Sequence, residues 1–306
     1  MRTFQSLDPF LQAKQPLLEQ GFEDSYLYLD GGNTALKWAI WQEQTARFEY
    51  HTLDWEQPNL EIQQQFIELV RTRYRFLILS SVRSDAASRL QSMLKDVLAP
   101  DAVIMLLVEH SLINTIPASA FPIQNVYENP EKLGIDRLIA AYGVQSRLLS
   151  EEQPTANTTP KSIAILDIGS ALTIDVLSVD VGNKSESTFY GGVIAPGIEA
   201  IRTGMRHKTP SLPKAADVTE LNLETAPSST SQAILWGQDF FWLKGMLGIL
   251  NHYTQLYSLD EVYLTGGGAQ AYIYNAIVEA GLACSLVPTL QFDGMKNVLS
   301  RLTDEL

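Results

Sequence analysis

The chain has 306 residues, 45% of them hydrophobic and 19% charged, which is typical of a globular protein large enough for two domains. Its formal net charge of −13 argues against general binding to nucleic acid or to an anionic membrane. A single cysteine, Cys284, excludes an internal disulfide and a thiol-rich metal site. The N-terminus does not resemble a signal peptide and the apolar runs are too short to span a bilayer, so we expect a cytoplasmic protein.

The elements fall into two similar series. Residues 1–24 are predicted to be an N-terminal extension with one or two helical turns. Residues 25–150 then read as three strands followed by alternating helices and strands. The polar segment SEEQPTANTTPKS is typical of a linker or surface loop, and the strand pattern starts again over residues 161–306.

The two halves open with matching sequences. LYLDGGNTALKWAI in the first half corresponds to AILDIGSALTIDVL in the second, so Asp30 and Asp167 occupy equivalent positions at the end of a strand. This repeat predicts an α/β protein with a duplicated βββαβαβα unit, in which two similar domains face each other across a cleft.

The turn after the first strand combines an aspartate, two glycines and two neutral donors: Asp30, Gly31, Gly32, Asn33 and Thr34. The glycines permit positive φ and close approach of the backbone, so a phosphate can reach main-chain N–H groups. The aspartate can hold Mg²⁺ directly or through water, and Lys37 can reach a transferring phosphoryl group. A β-turn with a buried lysine stem explains one such copy equally well. The second turn, Asp167-Ile168-Gly169-Ser170, favours a pair of turns that clamp a nucleotide.

A third motif, TGGGAQAY, breaks a strand at Gly266 and Gly267 and starts a helix at once. Bare backbone near a helix N-terminus suits a nucleotide, although a simple strand-to-helix connection is the alternative. The sequence contains neither a Walker motif nor a strand-linked G-x-G-x-x-G, and its four histidines have no zinc-binding spacing.

The fourth motif, YENPEKLGIDRLIAAYG, places Asp136 and Arg137 at the start of a helix, just after Gly134. One interpretation is a carboxylate that accepts a hydroxyl proton beside an arginine that binds an anionic substrate. The other is a helix-start aspartate favoured by the helix dipole, with a surface arginine. Spacing alone favours the second interpretation.

Five motifs occur in a fixed order: D-x-G-N-T, N-P-x-x-L-G-x-D-R, D-x-G-S-A-x-T-x-D, G-G-x-I-x-P-G and T-G-G. In this respect the sequence resembles the type III pantothenate kinases of the acetate and sugar kinase/Hsp70/actin superfamily, from about Tyr26 to the C-terminus. The resemblance implies two ribonuclease H-like domains in an actin-like ATPase fold with an interdomain cleft. It also implies a homodimer that phosphorylates pantothenate with ATP, the first step of coenzyme A synthesis.

The resemblance further implies roles for individual residues. Asp136 would be the catalytic base, Asp167 would bind a monovalent cation (K⁺ or NH₄⁺), and Ser170 would contact ATP. The first phosphate loop would run from Asp30 to Lys37 and bind ATP and Mg²⁺, with Gly266 and Gly267 also at the nucleotide. The pantothenate pocket would be lined by Tyr127, Gly134, Ile135, Asp136, Arg137 and, across the dimer interface, Thr209.

The sequence also departs from the family pattern. Ser170 stands where threonine is usual, Pro210 replaces a small residue, and Gly31 stands where an apolar residue is common. The rival functions are a kinase of the same superfamily acting on a sugar or acetate, and a non-catalytic accessory protein that retains the nucleotide clamp. Catalysis is favoured by the charged residues that the chain retains: Asp30, Lys37, Asp136, Arg137 and Asp167.

Overall fold

The computed structural model describes residues 1–98, 102–116, 120, 122–151, 159–182, 187–213 and 225–303. The chain forms two compact units. The first comprises residues 1–158, 180–188 and 289–306, and the second comprises residues 159–179 and 189–288. Most of the predicted linker, residues 152–158, lies outside the described residues.

The first unit is built on a six-stranded sheet with the strand order β1-β6-β5-β2-β3-β4. These strands, together with the short β7, are β1 (Arg2–Phe4), β2 (Tyr26–Gly31), β3 (Ala35–Gln42), β4 (Arg47–Asp54), β5 (Phe76–Ser81), β6 (Ile104–Leu107) and β7 (Ile123–Asn125). The helices are α1 (Leu7–Glu19), α2 (Leu60–Thr72), α3 (Ala86–Leu94), α4 (His110–Ile113) and α5 (Ile135–Glu151). The central strands β2 and β5 are almost continuously apolar and buried, as expected for strands covered on both faces.

The second unit repeats this plan. Its strands are β8 (Lys161–Ile168), β9 (Ala171–Val179), β10 (Ser187–Pro196), β11 (Glu261–Thr265) and β12 (Ala283–Leu286), in the order β12-β11-β8-β9-β10. Its helices are α6 (Ile198–Lys208), α7 (Thr230–Leu235), α8 (Phe241–Tyr257) and α9 (Ala271–Glu279), with a π-helical segment at Trp236–Phe240. Among the described residues, none of the helices has both the length and the apolar character needed to span a membrane.

The topology confirms the predicted duplication. In each unit the first strand, β2 or β8, pairs antiparallel with the strand that follows it and parallel with the fourth strand of the repeat. The fifth strand then adds in parallel beside the fourth. This is the arrangement of two ribonuclease H-like domains. Each domain places the end of its first strand near the middle of a sheet. The cleft between the two domains stays a prediction.

Residues 1–24 form more regular secondary structure than the predicted extension with one or two helical turns. Strand β1 pairs in parallel with β6 and adds a sixth strand to the sheet, and α1 extends over 13 residues. Phe10 and Leu17 are buried on one side of α1, and the Lys14 ammonium contacts the Tyr26 hydroxyl at 2.5 Å. Pro16 lies inside the helix, and a proline at that place argues against a long helix when only the sequence is considered.

The C-terminal helix α10 (Leu290–Thr303) belongs to the first unit, whereas the sequence analysis placed it in the second predicted domain, residues 161–306. It packs closely on α5: a Cβ at Gly294 would lie 2.0 Å from the Ile139 carbonyl oxygen, and one at Gly143 would lie 2.4 Å from the Leu290 carbonyl oxygen. Only glycine permits such an approach of two helix backbones, so these two positions fix the helix contact.

Candidate active site

Asp30 and Lys37 form an ion pair at the end of strand β2. The antiparallel register of β2 and β3 places the two residues opposite each other, with the Lys37 Nζ 3.6 Å from the Asp30 Oδ2. Asp30 is only 8% exposed. Burial raises the pKa of Asp30, the Lys37 charge lowers it, and the nearby Asp136 carboxylate raises it again. Asp30 and Lys37, which the sequence analysis gave separate roles, are therefore in close contact in a desolvated environment.

The end of β2 and the turn that follows it, Asp30–Thr34, are together called the phosphate turn below, after the role predicted from the sequence. Its carbonyl groups accept hydrogen bonds from side chains that follow neighbouring strands. Trp55 Nε1 donates to the Gly32 oxygen at 2.8 Å, and Arg83 Nη1 donates to the Asn33 oxygen at 2.7 Å. Neither donor could be predicted from the sequence, because Trp55 and Arg83 lie outside every motif.

Glycine is required at position 31 for a reason other than the predicted one. Neither Gly31 nor Gly32 adopts positive φ. A Cβ at Gly31 would instead lie 2.5 Å from the Ser81 Oγ, which donates to the Gly31 carbonyl at 2.6 Å. The glycines of this turn are therefore not used for positive φ, and the close approach of a phosphate to the backbone stays a prediction.

Asp136 lies in the first turn of α5. Its Oδ1 accepts a hydrogen bond from the Arg137 backbone N–H at 2.9 Å. A Cβ at Gly134 would lie 2.4 Å from the same oxygen, so the carboxylate occupies space that any side chain at position 134 would need. Burial raises the pKa of Asp136, whereas the Arg137 N–H and the positive charges of Arg137 and Lys37 lower it. Lys37 therefore acts electrostatically on both Asp30 and Asp136.

Two residues from other parts of the chain hold the backbone around Asp136. Gln291 Nε2, on α10, donates to the Asp136 carbonyl at 2.9 Å. The His110 Nε2 donates to the Leu133 carbonyl at 2.8 Å. Sequence reasoning missed both residues because each contact joins segments that are distant in the chain.

Arg137 is 5% exposed, so the expectation of a surface arginine is wrong. Its guanidinium carbon lies 5.6 Å from the centroid of the Tyr127 ring, which brings together two of the residues predicted at the pantothenate pocket. The side chain of Ile135 is buried in the core. A contact between Ile135 and a ligand would therefore involve its backbone.

In the second unit, the TGGG motif packs against the Asp167 turn. Thr265 of β11 is in register with Asp167 of β8. Gly266 has φ +95°, and a Cβ there would lie 2.3 Å from the Asp167 Oδ1. The Gly268 N–H donates to the Ile168 carbonyl at 2.8 Å. Two of the predicted nucleotide motifs are thus adjacent, with a glycine where the carboxylate needs space.

Ser170 is exposed, and it lies beside the G-G-x-I-x-P-G motif. The Gly197 N–H donates to the Ser170 carbonyl at 3.3 Å, and a Cβ at Gly197 would lie 2.6 Å from that oxygen. At Gly267 no described atom lies within 4 Å of the Cβ position, so this glycine borders open space. Thr209 ends α6, and its hydroxyl donates to the Met205 carbonyl at 2.7 Å.

The carboxylates of Asp30 and Asp167, one in each aspartate-glycine turn, are the groups that could hold cations. Within the described part of the chain, histidine, cysteine, aspartate and glutamate nowhere form a group of three or more that could hold a metal ion. Mg²⁺ keeps several waters and binds proteins through one or two carboxylates together with substrate phosphates. The single buried carboxylate of Asp30 beside a phosphate turn fits that mode of binding.

The chain is similar to a known protein family and to several of its members. The family model "Type III pantothenate kinase" matches residues 26–251. A type III pantothenate kinase of Nitrosomonas eutropha is 28% identical over 85% of this chain and 90% of its own length. One of Leptothrix cholodnii is 26% identical over 90% of this chain and 97% of its own length. Among solved structures, the activator of 2-hydroxyisocaproyl-CoA dehydratase from Clostridium difficile is similar over 92% of this chain and 95% of its own, with 14% identity and a TM-score of 0.46.

Two ribonuclease H-like units, each with an aspartate-tipped turn at the end of its first strand, define a kinase when combined with the matches to the family model and to the two curated kinases. The family model covers well over half of the chain. The chain belongs to the type III pantothenate kinase family.

Proposed function

We propose that the protein transfers the γ-phosphoryl group of ATP to the primary hydroxyl of pantothenate, the first step of coenzyme A synthesis. The observation that carries the proposal is that one unit contains the phosphate turn, the Asp30–Lys37 ion pair and the Asp136 carboxylate. Lys37 contacts Asp30 at 3.6 Å beside the phosphate turn, and its charge acts on Asp136 at the start of α5. Asp30 and Asp136 belong to motifs of the family, and Lys37 ends the phosphate loop that the resemblance implies.

In this proposal, Lys37 and the N–H groups of the phosphate turn stabilise the charge that develops on the transferring phosphoryl group. Asp30 would hold Mg²⁺, which when bound offsets the negative charge of the ATP phosphates. Asp167, Ser170, Gly266 and Gly267 would form the part of the ATP site contributed by the second unit. We propose Asp167 for the monovalent cation, K⁺ or NH₄⁺.

Asp136 would orient the pantothenate hydroxyl and accept its proton. Because the transition state of phosphoryl transfer is loose, the proton leaves late, and the position of the carboxylate matters more than its basicity. Gly134 supports this role, since the carboxylate occupies the space that a Cβ there would fill. Arg137, whose guanidinium lies over the Tyr127 ring, would bind the carboxylate of pantothenate.

We also propose that the protein is a homodimer, in which Thr209 reaches the pantothenate of the partner. The second unit exposes large apolar side chains, among them Ile194 at 63% and Phe241 at 74%. Tyr190 and Tyr257 are also exposed, with ring centroids 5.4 Å apart. Such exposed apolar surface favours association, and light scattering should give twice the mass of one chain. A mass of one chain at assay concentration would contradict the dimer.

We place this biosynthetic enzyme in the cytoplasm.

The decisive experiment is a coupled assay of ADP release with pantothenate, with and without potassium. We expect release that depends on pantothenate and rises with potassium, and Asp136→Asn should lower kcat strongly with little change in substrate binding. Release with acetate or a sugar instead would favour another kinase of the superfamily. Nucleotide binding without turnover on any of these substrates would favour the accessory protein.

A further inference from the structure

Two residues outside the motifs, Trp55 and Arg83, donate hydrogen bonds to the phosphate turn. Trp55 donates to it twice, from the indole Nε1 to the Gly32 carbonyl at 2.8 Å and from its backbone N–H to the Thr34 carbonyl at 3.0 Å. Arg83 Nη1 donates to the carbonyl between these two, that of Asn33, at 2.7 Å. Three consecutive carbonyl groups of the turn are therefore held by the same two residues.

Holding a carbonyl also fixes the direction of the adjoining N–H. In a planar trans peptide the C=O and the N–H point in opposite directions. With the carbonyls of Gly32 and Asn33 bound to Trp55 and Arg83, the N–H groups of Asn33 and Thr34 point away from these side chains. The turn contains two glycines, which would otherwise leave its peptide units many orientations. The contacts thus orient N–H donors before any anion arrives.

Arg83 is itself fixed in place. Asp85 accepts hydrogen bonds from Arg83 Nε at 2.8 Å and Nη2 at 2.9 Å, and from Arg89 Nε at 2.9 Å. The guanidinium carbons of Arg83 and Arg89 lie 5.7 Å and 5.6 Å from the centre of the Trp55 ring. Only Arg83 of this pair donates to the phosphate turn, so Arg89 provides a natural control.

We infer that Trp55 and Arg83 are positioning residues that orient the N–H groups of the phosphate turn toward the ATP phosphates. This inference rests on the proposed function, in which the turn binds the phosphates. In this inference the two residues act through the turn, by fixing its peptide groups. Their effect is on the affinity of the site for nucleotide.

Trp55→Phe tests the indole contact, because it keeps an aromatic ring and the backbone N–H while removing the Nε1–H donor. Arg83→Lys keeps the charge and loses the planar fork that joins the turn to Asp85. Loss of one such hydrogen bond should weaken binding of a non-hydrolysable ATP analogue by about three- to tenfold in calorimetry. The KM for ATP should rise by the same factor, while the KM for pantothenate and the melting temperature stay nearly unchanged.

Trp41→Phe and Arg89→Lys are the matched controls, since neither side chain donates to the phosphate turn in the described hydrogen bonds. Unchanged analogue binding in both Trp55→Phe and Arg83→Lys would overturn the inference. Equal losses for ATP, pantothenate and thermal stability would also overturn it, since they indicate a general structural role. If the wild type binds the analogue without phosphorylating pantothenate, the proposed function fails while the calorimetric comparison still decides the inference. A wild type that binds no nucleotide would contradict both.

Discussion

Gly134→Ala should separate activity from stability in this protein. The new Cβ would lie 2.4 Å from the Asp136 Oδ1, whereas ordinary contact begins near 3.4 Å. The carboxylate must therefore move by about 1 Å, and a misplacement of this size lowers the rate of a catalysed reaction by on the order of 100-fold. That factor corresponds to about 2.7 kcal/mol of transition-state stabilisation.

The same substitution should leave the fold intact. The clashing atom ends a side chain, and the backbone at position 134 does not have the positive φ that would exclude alanine. Replacing glycine by alanine restricts the unfolded chain, which adds about 0.4–1 kcal/mol to the free energy of unfolding where the backbone is compatible. We expect an unchanged or slightly raised melting temperature with kcat lowered about 100-fold.

The assay is ADP release at saturating ATP and pantothenate, combined with a thermal melt of each variant. Gly204→Ala is the control, because no described atom lies within 4 Å of the Cβ position there. The control should keep wild-type kcat and gain about 1 kcal/mol of helix stability. A Gly134→Ala enzyme with wild-type kcat would refute the reasoning, because the position of the Asp136 carboxylate would then have no bearing on the reaction.

Three further predictions concern the same unit. Because burial raises the pKa of Asp136 in the folded state, the folded protein binds more protons than the unfolded chain between the ordinary and the raised pKa, and stability falls as pH rises through that window. Asp136→Asn should therefore raise the melting temperature at neutral pH, and the gain should shrink as the pH approaches 4; a gain that is the same at both pH values would contradict the desolvated carboxylate. Gln291→Leu leaves the Asp136 carbonyl without its donor and should lower the free energy of unfolding by about 1–3 kcal/mol in urea denaturation, together with kcat; wild-type values for both would show that α10 does not hold this segment. Gly31→Ala should weaken ATP binding in calorimetry, because its Cβ meets the Ser81 Oγ at 2.5 Å, and unchanged affinity would mean that the turn tolerates the displacement.

The sequence predicted those parts of the site that lie within one motif. The alternating strands and the repeated aspartate-glycine turn were sufficient to predict the duplicated fold, and the short hairpin between β2 and β3 fixed Asp30 opposite Lys37. Asp30 and Lys37 are only seven residues apart in the chain and lie on neighbouring strands, so the local sequence pattern determines their contact.

The parts that could not be predicted depend on contacts between distant segments. Gln291 reaches Asp136 from the other end of the chain, and Arg83 reaches the phosphate turn from the loop after β5. Arg137 is buried because the surrounding elements cover it, which spacing on one helix does not reveal. The membership of α10 in the first unit follows from a helix contact at Gly294 that has no signature in the local sequence.

The most direct test of the central claim is a crystal structure of the protein with a non-hydrolysable ATP analogue and pantothenate. We predict the γ-phosphate on the phosphate turn within reach of Lys37, and the primary hydroxyl of pantothenate about 2.6–3.2 Å from the Asp136 carboxylate. A triphosphate bound away from that turn, or a pantothenate hydroxyl remote from Asp136, would contradict the account.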